Sequence, residues 1–320
     1  NTSGSGITLS GSAPRSLAGS FTFAGTSDLN LGTGTASLTS GITVTTSSNT
    51  LTLGAVSSTG TITFTKAGTG TMAFTSGSVA FGNLNLNGGV LDIGSATVGF
   101  NSAGGAAGLQ TTVGGTVSAS GGGVIVLSGS GDNWGSANGT TLTISARITG
   151  GANNLYEAYY TAANQTGITV LSNTTNNFAG NVQINSGTIS VSTIGDSGVA
   201  SGLGAGSQIQ LNTSANSGLL YTGTGGTTNR TVVLQGTTTG GVIENSGTGL
   251  LKFTSNLSIT GAGAKTLVFA GSSSGTGEFA GVIPDNGATS ITKAGTGTWV
   301  LSATNTYTGV TTINGGVLSV

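Results

Sequence analysis

Two pairs of identical segments repeat at one fixed offset. KAGTGT stands at 66–71 and again at 293–298, and NGGVL stands at 87–91 and again at 314–318. The step from Lys66 to Lys293 equals the step from Asn87 to Asn314, so the spacing of the two segments is the same in both copies. A weaker third copy lies between them, where VLSNTTNNFAGNVQINSGTISV at 170–191 aligns with VLSATNTYTGVTTINGGVLSV at 300–320. Phe178 then falls on Tyr307, Ile184 on Ile313 and Asn185 on Asn314. Self-similarity at a period of roughly 20 residues is the signature of a stacked repeat architecture, in which no single unit can bury its own apolar face.

Apolar and hydroxyl residues alternate with period two in Ile42–Val44, Leu51–Leu53, Ile62–Phe64, Val182–Ile184, Ile189–Val191, Ile209–Leu211 and Leu318–Val320. Thr, Val, Ile, Leu and Phe form strands, and the intervening Gly and Asn supply sharp corners. Helix formers are scarce, since charged residues make up only 5% of the chain. The reading is all-β: one right-handed parallel β-solenoid over residues 1–320. Repeat copies fall at about 65–93, 168–191 and 292–320. Roughly 20 residues per coil predict on the order of 16 coils and a rod roughly 75 Å long. Two stretches break the pattern. Residues 152–166 lack Gly and read as a short helical turn or an ordered loop leaving the solenoid, and the Gly- and Ala-rich region 101–123 reads as another irregular excursion.

Composition excludes much chemistry. There is no Cys and no His, which removes disulfides, thiolate nucleophiles and the commonest general base and zinc ligand. Seven basic residues and a net charge of −1 offer no basic stripe for nucleic acid. No apolar run approaches a transmembrane helix. No signal peptide opens the chain, so a mature or trimmed product is expected. The acids Asp28, Asp92, Asp132, Glu157, Asp196, Glu244, Glu278 and Asp285 are scattered, with no close pair of the kind lyases and hydrolases use. GSGD at 129–132 is a single turn where a calcium array needs several in series. No catalytic residue, metal or cofactor is assigned.

TKAGTGTWVLSATNTYTGVTTINGGVLSV at 292–320 closely resembles the autotransporter-associated β-strand repeat, also called the passenger-associated transport repeat. Lys293, Gly295, Gly297, Thr298, Leu301, Ser302, Asn305, Tyr307, Gly309, Thr311, Ile313, Gly315, Gly316 and Leu318 match its pattern. The copy at 65–93 lacks the Asn-Thr-Tyr step, and SGLGAG at 201–206 resembles the spacer between such repeats. The resemblance implies a secreted β-solenoid from a Gram-negative envelope, displayed or released, whose repeats help the passenger fold as it emerges. The chain ends without the long alternating strands of a membrane barrel. Export by its own barrel is therefore not expected, and a passenger fragment and a subunit exported another way both remain open.

The first reading is a structural surface protein, not an enzyme. GGVLSV forms an uncapped strand, so Val317, Leu318 and Val320 at one end and Ile7 and Leu9 at the other are candidate assembly surfaces. Unlike ends pairing head-to-tail build open filaments. The second reading is an adhesin that contacts glycans or other proteins through Tyr156, Glu157, Tyr159 and Tyr160; packing of that cluster against the rod is the alternative. A polysaccharide-cleaving enzyme is the third. Lys66 and Lys293 read as solvated corner charges, with contact to an adjacent coil as the sharper idea. Phe64, Phe74, Phe253, Phe269 and Trp299 read as core. With few charges and no His, stability is expected to vary little between pH 5 and 8.

Overall fold

The computed structural model describes residues 1–58, 62–100, 108–128, 132–158, 165–212, 217–236, 238, 240–272 and 274–320. Every element among them is a β-strand. The strands pair in parallel, coil upon coil, into a β-solenoid of about 12 turns.

A turn visits up to three walls, always in the same order. One turn runs Asn83–Asn87, Val90–Asp92 and Thr97–Phe100; the next runs Leu109–Thr111, Gly115–Ser118 and Val124–Leu127. The first wall named here is an 11-stranded sheet and the second belongs to a 19-stranded sheet. In the N-terminal half the third wall shares that larger sheet, because Thr50–Ser58 and Thr71–Phe81 each run across both walls. Towards the C-terminus it is a separate five-stranded sheet that ends in Val317–Ser319.

Period-two alternation sends every second residue inward, where it stacks on its counterpart one coil away. Leu51, Met72, Leu91, Val117, Ile144, Leu171, Val191 and Tyr221 form one such column, each the direct register partner of the next, and all are buried. Phe64, Phe74, Phe253, Phe269 and Trp299 all lie in the core, as alternation requires. Aromatic rings stack between coils, with Phe269 and Trp299 centroids 4.6 Å apart and Phe253 and Phe279 5.9 Å apart.

Coil length is the main departure from the sequence reading. Met72 pairs with Leu91, Ile144 with Leu171, Leu171 with Val191 and Val191 with Tyr221, so the step between register partners is not uniform and is often well above 20 residues. A uniform short coil therefore overstates the count. About 12 turns at ~4.8 Å each give a rod about 58 Å long. The ladders stay in register across the longer steps. Part of the supposed excursion at 101–123 is wall, because Leu109–Thr111 and Gly115–Ser118 pair with both neighbouring coils. Residues 101–107 lie outside the described set.

Candidate functional site

The repeated segments build one device twice. Thr63–Ala67 pairs with Asn83–Asn87, so Lys66 stands opposite Leu86 in the following coil. KAGTGT is thus the corner of one coil, and NGGVL is the corner stacked on it. Lys66 is fully buried, and its Nζ donates to the carbonyl oxygens of Gly68 (2.5 Å) and Gly70 (2.6 Å) in its own corner and of Gly88 (3.0 Å) in the next. Lys293 stands opposite Ile313 and repeats the pattern, donating to Ala294 (2.7 Å), Gly295 (3.0 Å) and Gly315 (3.2 Å). A solvated corner charge is therefore the wrong reading for both. The ammonium, with three donors and no acceptor, gathers the corner carbonyls of two successive coils. Burial pushes Lys66 down to about 8 and lowers Lys293 as well.

The second glycine of NGG is fixed by the same device. Gly89 and Gly316 adopt φ of 64° and 66°. A Cβ there would stand 2.6 Å from Lys66 Nζ and 2.8 Å from Lys293 Nζ. Only glycine supplies both the left-handed backbone and the room for the ammonium.

The 152–166 stretch is not a plain excursion. Leu155–Glu157 is a strand of the 11-stranded wall, in register with Asp132–Trp134 before it and Val182–Ile184 after it. Strand alternation separates the two candidates described there. Tyr156 faces outward and is half-buried. Glu157 faces inward, is 2% exposed and lies between Trp134 and Ile184, so it is no part of an external surface. Thr169 Oγ1 donates to its Oε1 at 3.0 Å, and burial raises its pKa well above the usual carboxylate range. Tyr159 and Tyr160 lie outside the described residues, as does most of the 129–132 turn.

Around Tyr156 the outward face is amide-rich. Asn133, Tyr156, Gln183 and Gln210 are direct register partners in four successive coils. Asn154 Nδ2 donates to the Tyr156 hydroxyl at 3.3 Å. Asn185 Oδ1 accepts from Gln183 Nε2 and from Asn212 Nδ2, both at 2.8 Å, and Gln208 Oε1 accepts from Gln210 Nε2 at 2.6 Å. The sequence signal for this face was the period-two spacing of Gln183 with Asn185 and of Gln208 with Gln210 and Asn212.

Arg230 gave no motif signal. It is fully buried and clamps the 195–204 turn, donating to Gly195 (2.8 Å), Leu203 (3.2 Å), Val199 (3.2 Å) and Gly204 (2.6 Å). Burial lowers it to about 10, against the pull of Asp196. That turn includes most of SGLGAG, the stretch resembling a repeat spacer. Lys265 likewise donates to Gly261 and Gly263. Among the described residues Lys252 and Glu278 make the one ion pair, at 3.0 Å. No group of three potential metal-ligating side chains converges among them.

At the ends, Ile7 and Leu9 are 39% and 43% exposed, and Val317 and Val320 are 54% and 89% exposed, while Leu318 is partly packed against the core. Among the described residues no helix is long and apolar enough to cross a membrane.

Known proteins bear out the repeat assignment. The family profile of the passenger-associated transport repeat matches residues 64–93, 164–191 and 291–320. The chain is a β-solenoid of the autotransporter-passenger class, carrying these repeats. The BmaC autotransporter adhesin of Brucella suis biovar 1 (strain 1330) is 35% identical over 259 residues. That alignment covers 75% of this chain, and the chain spans 7% of the length of that relative. No solved structure matches the chain.

Proposed function

We propose that the chain works at the surface of, or released from, a Gram-negative-type bacterium, as a rigid passenger whose role is mechanical and adhesive rather than catalytic. The lysine corner carries this reading. The corner cation ties one coil to the next, and most of the few basic residues are spent on the backbone of the rod. Arg15, Lys66, Arg230, Lys265 and Lys293 all donate to backbone carbonyls. The scattered acids support the absence of catalysis. Intact cells producing the protein test the location. External protease and antibody are expected to reach it, and protection until the outer membrane is broken would refute the proposal.

The adhesin reading is favoured by the similarity to the Brucella adhesin. Adherence of cells with and without the gene to a host-cell monolayer tests it. A head-to-tail fibre would rest on the exposed rung Thr311–Ile313 and Val317–Ser319, whose backbone groups can pair with a further coil. Sedimentation velocity across concentrations distinguishes a fibre from a single rod.

A further inference from the structure

We propose that the outward strip Asn133, Tyr156, Gln183 and Gln210 binds a neutral polysaccharide lying along the rod. The proposal deepens the adhesin reading and rests on it.

Three features of the strip fit that ligand. First, the four side chains stand one per coil in direct register, and Asn133, Tyr156 and Gln183 are partly exposed, so an extended polymer parallel to the axis meets a planar polar group at three successive steps of ~4.8 Å. Gln210 is the least exposed of them, at 8%, and closes the strip at one end. Second, the Gln183 and Gln210 amides are held by neighbouring side chains yet keep hydrogen-bonding capacity. A carboxamide offers two N–H donors and two acceptor lone pairs. The bonds to Asn185 and Gln208 engage one N–H of Gln183 and one of Gln210. Sugar hydroxyls both donate and accept, and so match a surface that does the same. Tyr156 adds a half-exposed aromatic ring with a polar tip, a shape suited to the apolar face of a sugar.

Third, charge selects against other ligands. On these four strands the acids Asp132 and Glu157 are buried, and no Lys or Arg is present. Without a positive field, phosphate- or sulfate-bearing polymers gain nothing here. A protein partner is disfavoured too, because no large apolar side chain is exposed on the strip to serve as an interface anchor.

The test uses the full 320-residue chain and immobilised mannan, galactomannan and dextran, with heparin and polygalacturonate as acidic polymers. Binding to at least one neutral polymer is expected, insensitive to high salt. Tyr156→Ala and Gln183→Ala should each weaken it about tenfold or more, with circular dichroism unchanged. Thr43→Ala, on the outward face of the same wall but away from the strip, should bind as the parent does. Gln183→Ala removes only an outward side chain, so it carries the test even if Tyr156→Ala fails to fold. The proposal is overturned if no neutral polymer binds, if acidic polymers bind as well, or if the folded variants bind unchanged. Host-cell adherence that persists without neutral-polymer binding would sink the strip and leave the adhesin reading standing; loss of both would sink the two together.

Discussion

Glu157 stands opposite Ile184, one residue ahead of Asn185, in the register place that Lys66 holds opposite Leu86 and Lys293 holds opposite Ile313. The strand that the middle repeat stacks on therefore carries an acid in the place where the other two corners carry a cation. The Gly187 corner lies against Glu157, as the Gly89 corner lies against Lys66. Burial beside that corner disfavours the carboxylate and raises the pKa of Glu157 well above the usual carboxylate range.

Glu157 makes stability depend on pH where the composition promised little variation. Its folded pKa lies above the unfolded value of 4.5. The contribution is complete below that value and is lost as pH rises towards the folded pKa, because the unfolded chain ionises first. Glu157→Gln keeps an acceptor for Thr169 and does not titrate. Urea midpoints measured from pH 4 to pH 8 should show the variant gaining on the parent as pH rises. Parallel profiles would refute the burial of an ionisable acid.

Removing the lysine clamp takes a shared donor from the Gly68, Gly70 and Gly88 carbonyls. Lys66→Met is expected to destabilise by about 1–3 kcal/mol, with hydrogen exchange quickening first at 68–70 and 88–90. The parent should also show a lysine amine titrating near 8 rather than 10.5. Between those values the unfolded chain holds the proton and the folded one does not, so this group makes parental stability rise with pH. Nitrogen NMR of the lysine side chains and melts of both proteins check the two statements.

Gly89→Ala should be nearly as damaging as the lysine change. The left-handed backbone costs a residue with a Cβ about 1–2 kcal/mol, and the added methyl presses on Lys66 Nζ. The double variant Gly89→Ala with Lys66→Met should recover only part of the loss, since the Gly70 carbonyl, the nearest atom to the new Cβ, and the Gly68 carbonyl at 2.7 Å are still there. Full recovery in thermal melts would show that the backbone was never strained.

Arg230→Met removes the donor shared by five carbonyls of the 195–204 turn. A loss of about 1.5–3 kcal/mol is expected for bonds to a charged group, concentrated locally. Limited proteolysis should cut this turn early in the variant and spare it in the parent.

Much of this was legible because periodicity is a backbone property. Asn87 lies one position beyond Leu86, the register partner of Lys66, so the motif pair already encoded the stacking of corner on corner. Alternation correctly placed Phe64, Phe253 and Trp299 inside. It could also have separated Tyr156 from Glu157, but the tyrosine-rich, glycine-free context made the segment read as a protrusion. Lys66 misled because a lysine among glycines reads as solvent-facing, and its full set of carbonyl acceptors exists only once two coils are stacked. Arg230 serves a turn 26 to 35 residues earlier, a separation no local pattern reveals.

The walls hold their pitch although the turn from Val191 to Tyr221 takes far more chain than the turn from Met72 to Leu91. Reach and girth are therefore independent in this protein. Adding a coil moves the tip outward by one strand spacing, whereas lengthening a corner adds flank and leaves the tip where it was. A lineage could vary what the shaft shows to its surroundings, turn by turn, without altering how far from its base it stands.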